Sequence, residues 1–188
     1  MPLYLTGTWE QAILTAVAKA ASDHSDTGFL DRTALQKIVY FLQLSGVPMR
    51  YQFDIYYYGP FCDRIPRDVE WLVADDVLLD TSLNSDKYSN FRPGISAEEL
   101  LVSHAEKLQV HQATINRVVQ SLLPFEPSHL ELVAMIDYLY RQLKAGGGHG
   151  PWKERVIERF MVVKKEKFER PKVSDSYDTM VRANLIEV

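Results

Sequence analysis

The sequence predicts a mainly α-helical domain of the α+β class, a compact multi-helix domain with a short strand and a β-hairpin. Apolar residues recur at helical spacing over most of the chain, whereas the stretch 51–58 alternates with the period of a strand. The chain has 188 residues, 46% hydrophobic and 24% charged, which is typical of a globular domain. We expect one domain over residues 1–188, with a winged-helix-like part at about 8–92 and a helical part at about 96–188.

Two helices are predicted before the strand. The first begins at Thr8, because Thr8 and Gln11 have the spacing of a capping box, and it ends in the polar stretch 22–28. The second runs from Asp31 to Ser45, and Gly46 gives it a left-handed stop. Its apolar stripe predicts the centre of the core: Leu35, Ile38, Val39 and Leu42.

The strand, a third helix and a hairpin complete the N-terminal part. The strand covers residues 51–58, with Phe53, Ile55 and Tyr57 on one face, and it ends at Gly59-Pro60. The third helix covers about 62–74, with the regular part starting near Pro66. Its inward residues are predicted to be Ile65, Val69, Leu72 and Val73. Residues 77–80 and 88–92 flank a polar turn, which indicates a short hairpin.

Helices make up the C-terminal part. Ser96 and Glu99 have the spacing of a capping box and open a long helix to about Leu123. Residues 130–143 form a strongly apolar helix, and a glycine-rich loop follows at 146–151. Two further helices are predicted at about 152–165 and 174–183.

Composition favours a soluble cytoplasmic protein. No apolar run reaches the roughly 20 residues of a membrane span, and the first residues lack the pattern of a secretory signal. Cys62 is the single cysteine, so no internal disulfide can form, as is usual in a reducing compartment. We therefore expect a cytoplasmic location and no membrane partner.

Charge is divided unevenly along the chain. Residues 1–140 contain 10 Lys and Arg against 18 Asp and Glu, whereas residues 141–182 contain 11 against 6. The basic segment predicts a surface that could meet a nucleic acid or an acidic protein, or a solvated helix face. Its residues are Lys153, Arg155, Arg159, Lys164, Lys165 and Lys167. The acidic balance of residues 61–76 argues against DNA reading by the third helix.

No catalytic, cofactor-binding or metal-binding set of residues is predicted. Cys62 near a helix start could act as a nucleophile, but a lone cysteine is usually a buried apolar residue. His104 and His111 are seven residues apart, which is not the spacing of zinc ligands on a helix. The glycine loop at 146–151 lacks the strand and the Gly-Lys-Ser/Thr ending of a phosphate loop. We therefore expect a protein that is not an enzyme and has no cofactor.

Three consecutive tyrosines suggest a surface for a partner. Successive side chains of a strand point to opposite faces, so Tyr56 and Tyr58 should lie opposite Phe53, Ile55 and Tyr57. Tyrosine is enriched at protein interfaces. We predict that Tyr56 and Tyr58 bind a protein partner. The alternative is that the C-terminal helices cover this face.

A family resemblance rests on two segments. Residues 35–43 read L-Q-K-I-V-Y-F-L-Q, and residues 53–61 read F-D-I-Y-Y-Y-G-P-F. With the helix ending at 72–78, they resemble the bacterial YwgA-like proteins and, more distantly, the Panacea domains of SocA-like antitoxins. The resemblance implies a helical domain with a small β element. In Panacea relatives it implies a protein–protein role, neutralising a toxin or acting as a degradation adaptor, without catalytic residues.

Together these observations predict a non-catalytic regulatory protein-binding module, antitoxin-like or adaptor-like. Its expected partner is a protein, and the resemblance implies that this could be a toxin. The alternative is a winged-helix-like regulator that binds nucleic acid.

Overall fold

The structure is a computed structural model that describes residues 7–24, 30–57, 59–82, 89–147, 149–164 and 167–187. Within these ranges the chain forms eight α-helices and four short β-strands, so the predicted mainly α-helical fold of the α+β class is confirmed. The helices are α1 (Trp9–His24), α2 (Arg32–Leu44), α3 (Arg64–Ala74), α4 (Ala97–Ser103), α5 (Ala105–Leu122), α6 (Pro127–Ala145), α7 (Trp152–Val163) and α8 (Arg170–Arg182). The strands are β1 (Asp54–Tyr56), β2 (Gly59–Phe61), β3 (Leu78–Asp80) and β4 (Phe91–Pro93).

The first two helices begin and end where the sequence predicts. The backbone N–H of Thr8 donates to Gln11 Oε1 at 3.0 Å, and the backbone N–H of Gln11 donates to Thr8 Oγ1 at 3.3 Å, which confirms the capping box. Asp31 caps α2 by accepting from the Ala34 N–H at 2.6 Å. Gly46 follows α2 with a φ of 89°, the left-handed conformation that ends many helices.

The predicted strand at 51–58 is instead the first half of a hairpin. β1 has three residues, and β2 pairs with it antiparallel, with Ile55 opposite Pro60. The prediction that Gly59-Pro60 ends the strand is therefore wrong, because the chain turns after Tyr56 and returns through these residues. The second hairpin, β3 with β4, is confirmed; of its predicted turn at 82–87, residues 83–87 lie outside the described residues.

Other features of the helices differ from the prediction. The long helix is interrupted at His104, and the Ser96 side chain makes no capping hydrogen bond, so the second capping box is wrong. In α3, Val73 is exposed rather than inward, whereas Ile65, Val69 and Leu72 are buried. Helix α8 begins at Arg170, four residues before the predicted start.

The buried apolar residues of the described chain fall into two clusters. The first lies among α1, α2, α3 and α5, and the second lies among α6, α7 and α8. Helix α6 packs against α2 and β2 on one side and against α7 and α8 on the other. The β1–β2 hairpin therefore lies where the two clusters meet, beside the polar side chains of α2 and α6.

Candidate interaction site

Helix α2 fixes both ends of the β1–β2 hairpin with glutamine side chains. Gln36 Oε1 accepts the Cys62 N–H at 3.0 Å, and Gln36 Nε2 donates to the Cys62 carbonyl at 2.8 Å. Gln43 makes the same paired contact with Tyr51, at 3.2 Å from the N–H and 2.9 Å to the carbonyl. Each amide satisfies both backbone polar groups of one residue, so the residues that flank the hairpin are bonded directly to α2.

Lys37, the neighbour of Gln36, holds the middle of β2. Its Nζ donates to the Pro60 carbonyl at 2.7 Å, and the side chain is 1% exposed. Gly59 has a φ of 83°, and a Cβ there would lie 3.4 Å from the Glu131 carbonyl and 3.8 Å from Lys37 Cε. Burial lowers the pKa of Lys37 from 10.5 to about 8, and the negative charge of Glu131 opposes this shift.

Lys37, Glu131 and Lys164 form a buried ion cluster beneath the hairpin, and the partly exposed Lys167 pairs with Glu131 from the surface. Glu131 is 1% exposed, and its Oε2 accepts from Lys167 Nζ at 2.5 Å. Lys164 Nζ lies 2.9 Å from Glu131 Oε1 and forms an ion pair with it. One buried carboxylate therefore faces three ammonium groups, and this cluster carries net positive charge.

Stability should rise with pH above about 8 because of Lys37. The unfolded chain keeps this lysine protonated up to about 10.5, whereas the folded chain releases the proton near 8. Since the unfolded state then binds more protons, the free energy of unfolding increases with pH between these values. From pH 8 to 9.5 we expect the wild type to gain about 1–2 kcal/mol relative to Lys37→Met.

Chemical denaturation at each pH measures this difference. The control is Lys19→Met, which removes an exposed lysine paired with Asp23 and should leave the pH dependence of the wild type unchanged. The range ends at 9.5 because burial and a neighbouring carboxylate raise the pKa of Tyr40 and of Tyr51, so stability falls as unfolded tyrosines ionise near pH 10. If the free energy of unfolding changed with pH equally in the wild type and in Lys37→Met, the prediction would be contradicted.

The C-terminal half holds the hairpin from the other side. Lys164 Nζ donates to the Tyr57 carbonyl in a very short contact, and Tyr138 Oη donates to the Phe53 carbonyl at 3.3 Å. Carbonyls of Phe53, Tyr57 and Pro60 are therefore each bonded by a side chain from a helix or its end. The hairpin backbone is anchored from α2 on one side and from α6 and the end of α7 on the other.

The anchored hairpin presents two aromatic rings to solvent. Tyr56 is 56% exposed and Tyr57 is 75% exposed, and we call this pair the hairpin tip. Their rings lie 5.1 Å apart at 80°, and Tyr56 also lies 5.4 Å from the Phe61 ring. The prediction that Tyr57 faces the core is wrong. The turn begins at Tyr57, so the side chains no longer alternate between the two faces of the strand. Tyr58 lies outside the described residues.

The alternative that the C-terminal helices cover this face holds for the backbone and not for the rings. Lys164, at the end of α7, reaches the Tyr57 carbonyl, but both rings of the hairpin tip remain exposed. The helix end therefore covers the backbone of the turn and leaves the two rings open to solvent.

A buried tyrosine from α2 connects this anchor to α6. Tyr40 Oη donates to Asp137 Oδ2 at 2.7 Å, and Arg141 Nε donates to the same oxygen at 2.7 Å. Burial raises the pKa of Tyr40, with the Asp137 charge adding to the shift, so the phenol remains a neutral donor. Asp137 is buried and keeps its charge partner one turn further along α6.

The two arginines of α3 pair with carboxylates one turn away, in the helix or at its N-cap. Arg64 Nε lies 3.4 Å from Asp68 Oδ2, which also accepts from Tyr51 Oη at 2.9 Å. Arg67 lies 3.0 Å from Asp63. Both arginines therefore lie beside carboxylates, in line with the acidic balance that argues against DNA reading by this helix.

The six residues of the predicted basic surface have different environments. Lys164 is 8% exposed and pairs with Glu131, so its placement on the surface is wrong, and Lys165 lies outside the described residues. Lys153 pairs with Asp178 at 2.7 Å, and Lys167 pairs with Glu131. The other two are Arg155, which lies over the Trp152 ring and donates to the His149 carbonyl, and Arg159, which is exposed.

Sequence reasoning missed Glu131 and Asp137, the two buried acids of α6. Both lie in the run 130–140, where nearly every other residue is apolar. An acid within so apolar a helix must find a buried cation or donor, because an isolated buried carboxylate is strongly unfavourable. That mismatch is the signal by which the sequence could have indicated them.

The other candidate groups do not come together. Cys62 is buried, and its peptide group is bonded by Gln36. Within the described ranges no three His, Cys, Asp or Glu side chains are grouped as around a metal ion. No described helix combines the length and apolar character needed to cross a membrane. Comparison of the chain with protein-family models and with curated protein sequences finds no match.

Proposed function

We propose that this chain is a non-catalytic regulatory protein-binding module, antitoxin-like or adaptor-like, that recognises its partner through the hairpin tip. The observation that carries the proposal is the exposure of Tyr56 and Tyr57 on a hairpin whose backbone is anchored from both sides. An ordered aromatic pair loses little conformational entropy on binding, so it is an efficient contact.

The anchor also favours one mode of recognition. A partner strand would need unpaired peptide groups, but Pro60 has no N–H and its carbonyl accepts from Lys37, while Gln36 bonds both groups of Cys62. β1 has three residues, which is short for strand addition. The remaining mode is recognition by side chains. In this mode the two rings enter a concave apolar pocket of the partner protein.

The hairpin tip can be tested with Tyr56→Ser/Tyr57→Ser. The matched control is Ile95→Ser/Val110→Ser, which removes two exposed apolar side chains elsewhere on the surface. We expect both double variants to keep the wild-type free energy of unfolding within about 1 kcal/mol, because all four side chains are largely exposed. In pull-downs from the native cell, proteins enriched by the wild type and by the control should fall at least about tenfold with the tip variant.

The same experiment is repeated with nuclease to separate the two classes of partner. Capture that resists nuclease and disappears with the tip variant supports the proposal. Capture abolished by nuclease would instead favour a nucleic-acid-binding regulator. Equal capture by all three proteins, or a loss of several kcal/mol in the tip variant alone, would contradict a partner-binding tip.

A further inference from the structure

A surface cavity of about 830 Å³, largely open to solvent, lies between the end of α6 and the segment that follows α8. Its lining has a charged part and an apolar part. Arg141 and Lys144 supply positive charge, and Val181 and Leu185 supply apolar surface. The volume is within the range of pockets that bind small molecules. This cavity is separate from the hairpin tip, and the inference below does not depend on the proposed function.

Arg141 is held in place while its outer nitrogens stay available. Its Nε donates to Asp137 Oδ2 at 2.7 Å, and that buried carboxylate is fixed in turn by Tyr40. Among the described residues, no hydrogen bond or ion pair engages the two terminal nitrogens of the guanidinium. A guanidinium held through Nε can offer these donors together to a carboxylate or phosphate.

Lys144 already binds a carboxylate, which comes from the chain itself. Its Nζ donates to Glu187 Oε1 in a very short contact and lies 3.4 Å from Tyr140 Oη. Tyr177 Oη donates to the Glu187 carbonyl at 2.7 Å and so fixes the backbone beside the cavity. Hydrogen bonding to Glu187 raises the pKa of Lys144, which keeps the ammonium charged. Glu187 therefore pairs with one of the two cationic side chains that line the cavity.

We propose that the cavity binds a small organic anion, a carboxylate attached to an apolar body. The ligand carboxylate pairs with Arg141 and displaces Glu187 from Lys144, while the apolar body contacts Val181 and Leu185. Glu187 then acts as an internal competitor that sets the affinity. The Tyr40–Asp137 pair positions Arg141 and does not touch the ligand.

Calorimetric titration of the full chain tests the site with three probes: hexanoate, 1-hexanol and inorganic phosphate. We expect saturable binding of hexanoate, with 1-hexanol and phosphate each at least about tenfold weaker because each lacks one part of the ligand. Arg141→Gln should weaken hexanoate binding about tenfold or more, whereas the exposed control Arg159→Gln should not change it. Glu187→Gln should tighten binding, since it frees Lys144.

Three results would overturn the proposal. The first is the absence of saturable hexanoate binding to both the wild type and Glu187→Gln up to about 10 mM, a Kd weaker than ordinary ligand sites show. The second is an equal affinity of Arg141→Gln and Arg159→Gln, and the third is phosphate binding as tight as that of hexanoate. If Arg141→Gln does not fold, Arg141→Lys takes its place in the test, because it keeps a positive charge near Asp137. Its affinity for hexanoate should be intermediate between those of the wild type and Arg141→Gln. Phosphate binding as tight as hexanoate would exclude the organic ligand class.

Discussion

Replacing Glu131 with glutamine is expected to destabilise the protein by about 3–5 kcal/mol, the largest effect of any single change in the buried ion cluster. The carboxylate lies 2.9 Å from Lys164 Nζ and 2.5 Å from Lys167 Nζ, and it opposes the burial that lowers the pKa of Lys37. Without it, two buried lysines face each other with no anion. An uncompensated buried charge costs more than the ion pair contributes.

Equilibrium denaturation in urea measures this effect at pH 7. The matched control is Glu158→Gln, which changes an exposed glutamate of α7 and should alter the free energy of unfolding by no more than about 0.5 kcal/mol. A second arm combines Glu131→Gln with Lys164→Met. Because the two residues are an ion pair, the double variant should lose less than the sum of the single losses. Additive losses, or a Glu131→Gln effect as small as the control, would contradict the assigned role.

The same cluster indicates why the hairpin tip can be ordered although it projects from a turn. Lys37 reaches β2 from one side, and Lys164 reaches the turn from the other. A change in the cluster should therefore disturb Tyr56 and Tyr57 without touching either ring. If the tip binds a partner, Lys164→Met should weaken binding beyond what its loss of stability explains.

The sequence predicts the helices well because their signals are local. Thr8, Gln11 and Asp31 act on backbone groups within four residues, and each makes the contact that its spacing predicts. The interruption at His104 has no comparable signal, since helical periodicity continues through it. Both α4 and α5 pack against α1, through contacts between residues that are distant in sequence.

The site could not be predicted in the same way because its partners are far apart in sequence. Tyr40 meets Asp137, 97 residues away, and Lys164 meets Tyr57, 107 residues away. The second strand was missed because Gly59-Pro60 is typical of a strand end. Pro60 is tolerated in β2 because a strand of a two-stranded sheet can spare an N–H.

The motif L-Q-K-I-V-Y-F-L-Q acquires a physical meaning from these contacts. Its apolar residues fill the core, while Gln36, Lys37, Tyr40 and Gln43 reach the hairpin and α6 from the polar edge of the helix. The F-D-I-Y-Y-Y-G-P-F segment supplies the hairpin: Lys37 bonds Pro60 within it, and Gln36 and Gln43 bond the residues that flank it, Cys62 and Tyr51. Two segments that are separate in sequence thus form one structural unit.

Leu42→Ala is expected to cost about 2–5 kcal/mol, because Leu42 lies at the centre of the first core cluster and is fully buried. The loss combines the apolar transfer energy of the removed side-chain atoms with a cavity that surrounding helices cannot fill completely. Leu44→Ala, two residues along the same helix, is the control; Leu44 is partly exposed, so we expect a loss below about 1 kcal/mol. Urea denaturation compares the two. Equal losses would mean that Leu42 is not part of a packed core, and that the apolar stripe of α2 does not support the hairpin that its polar edge holds.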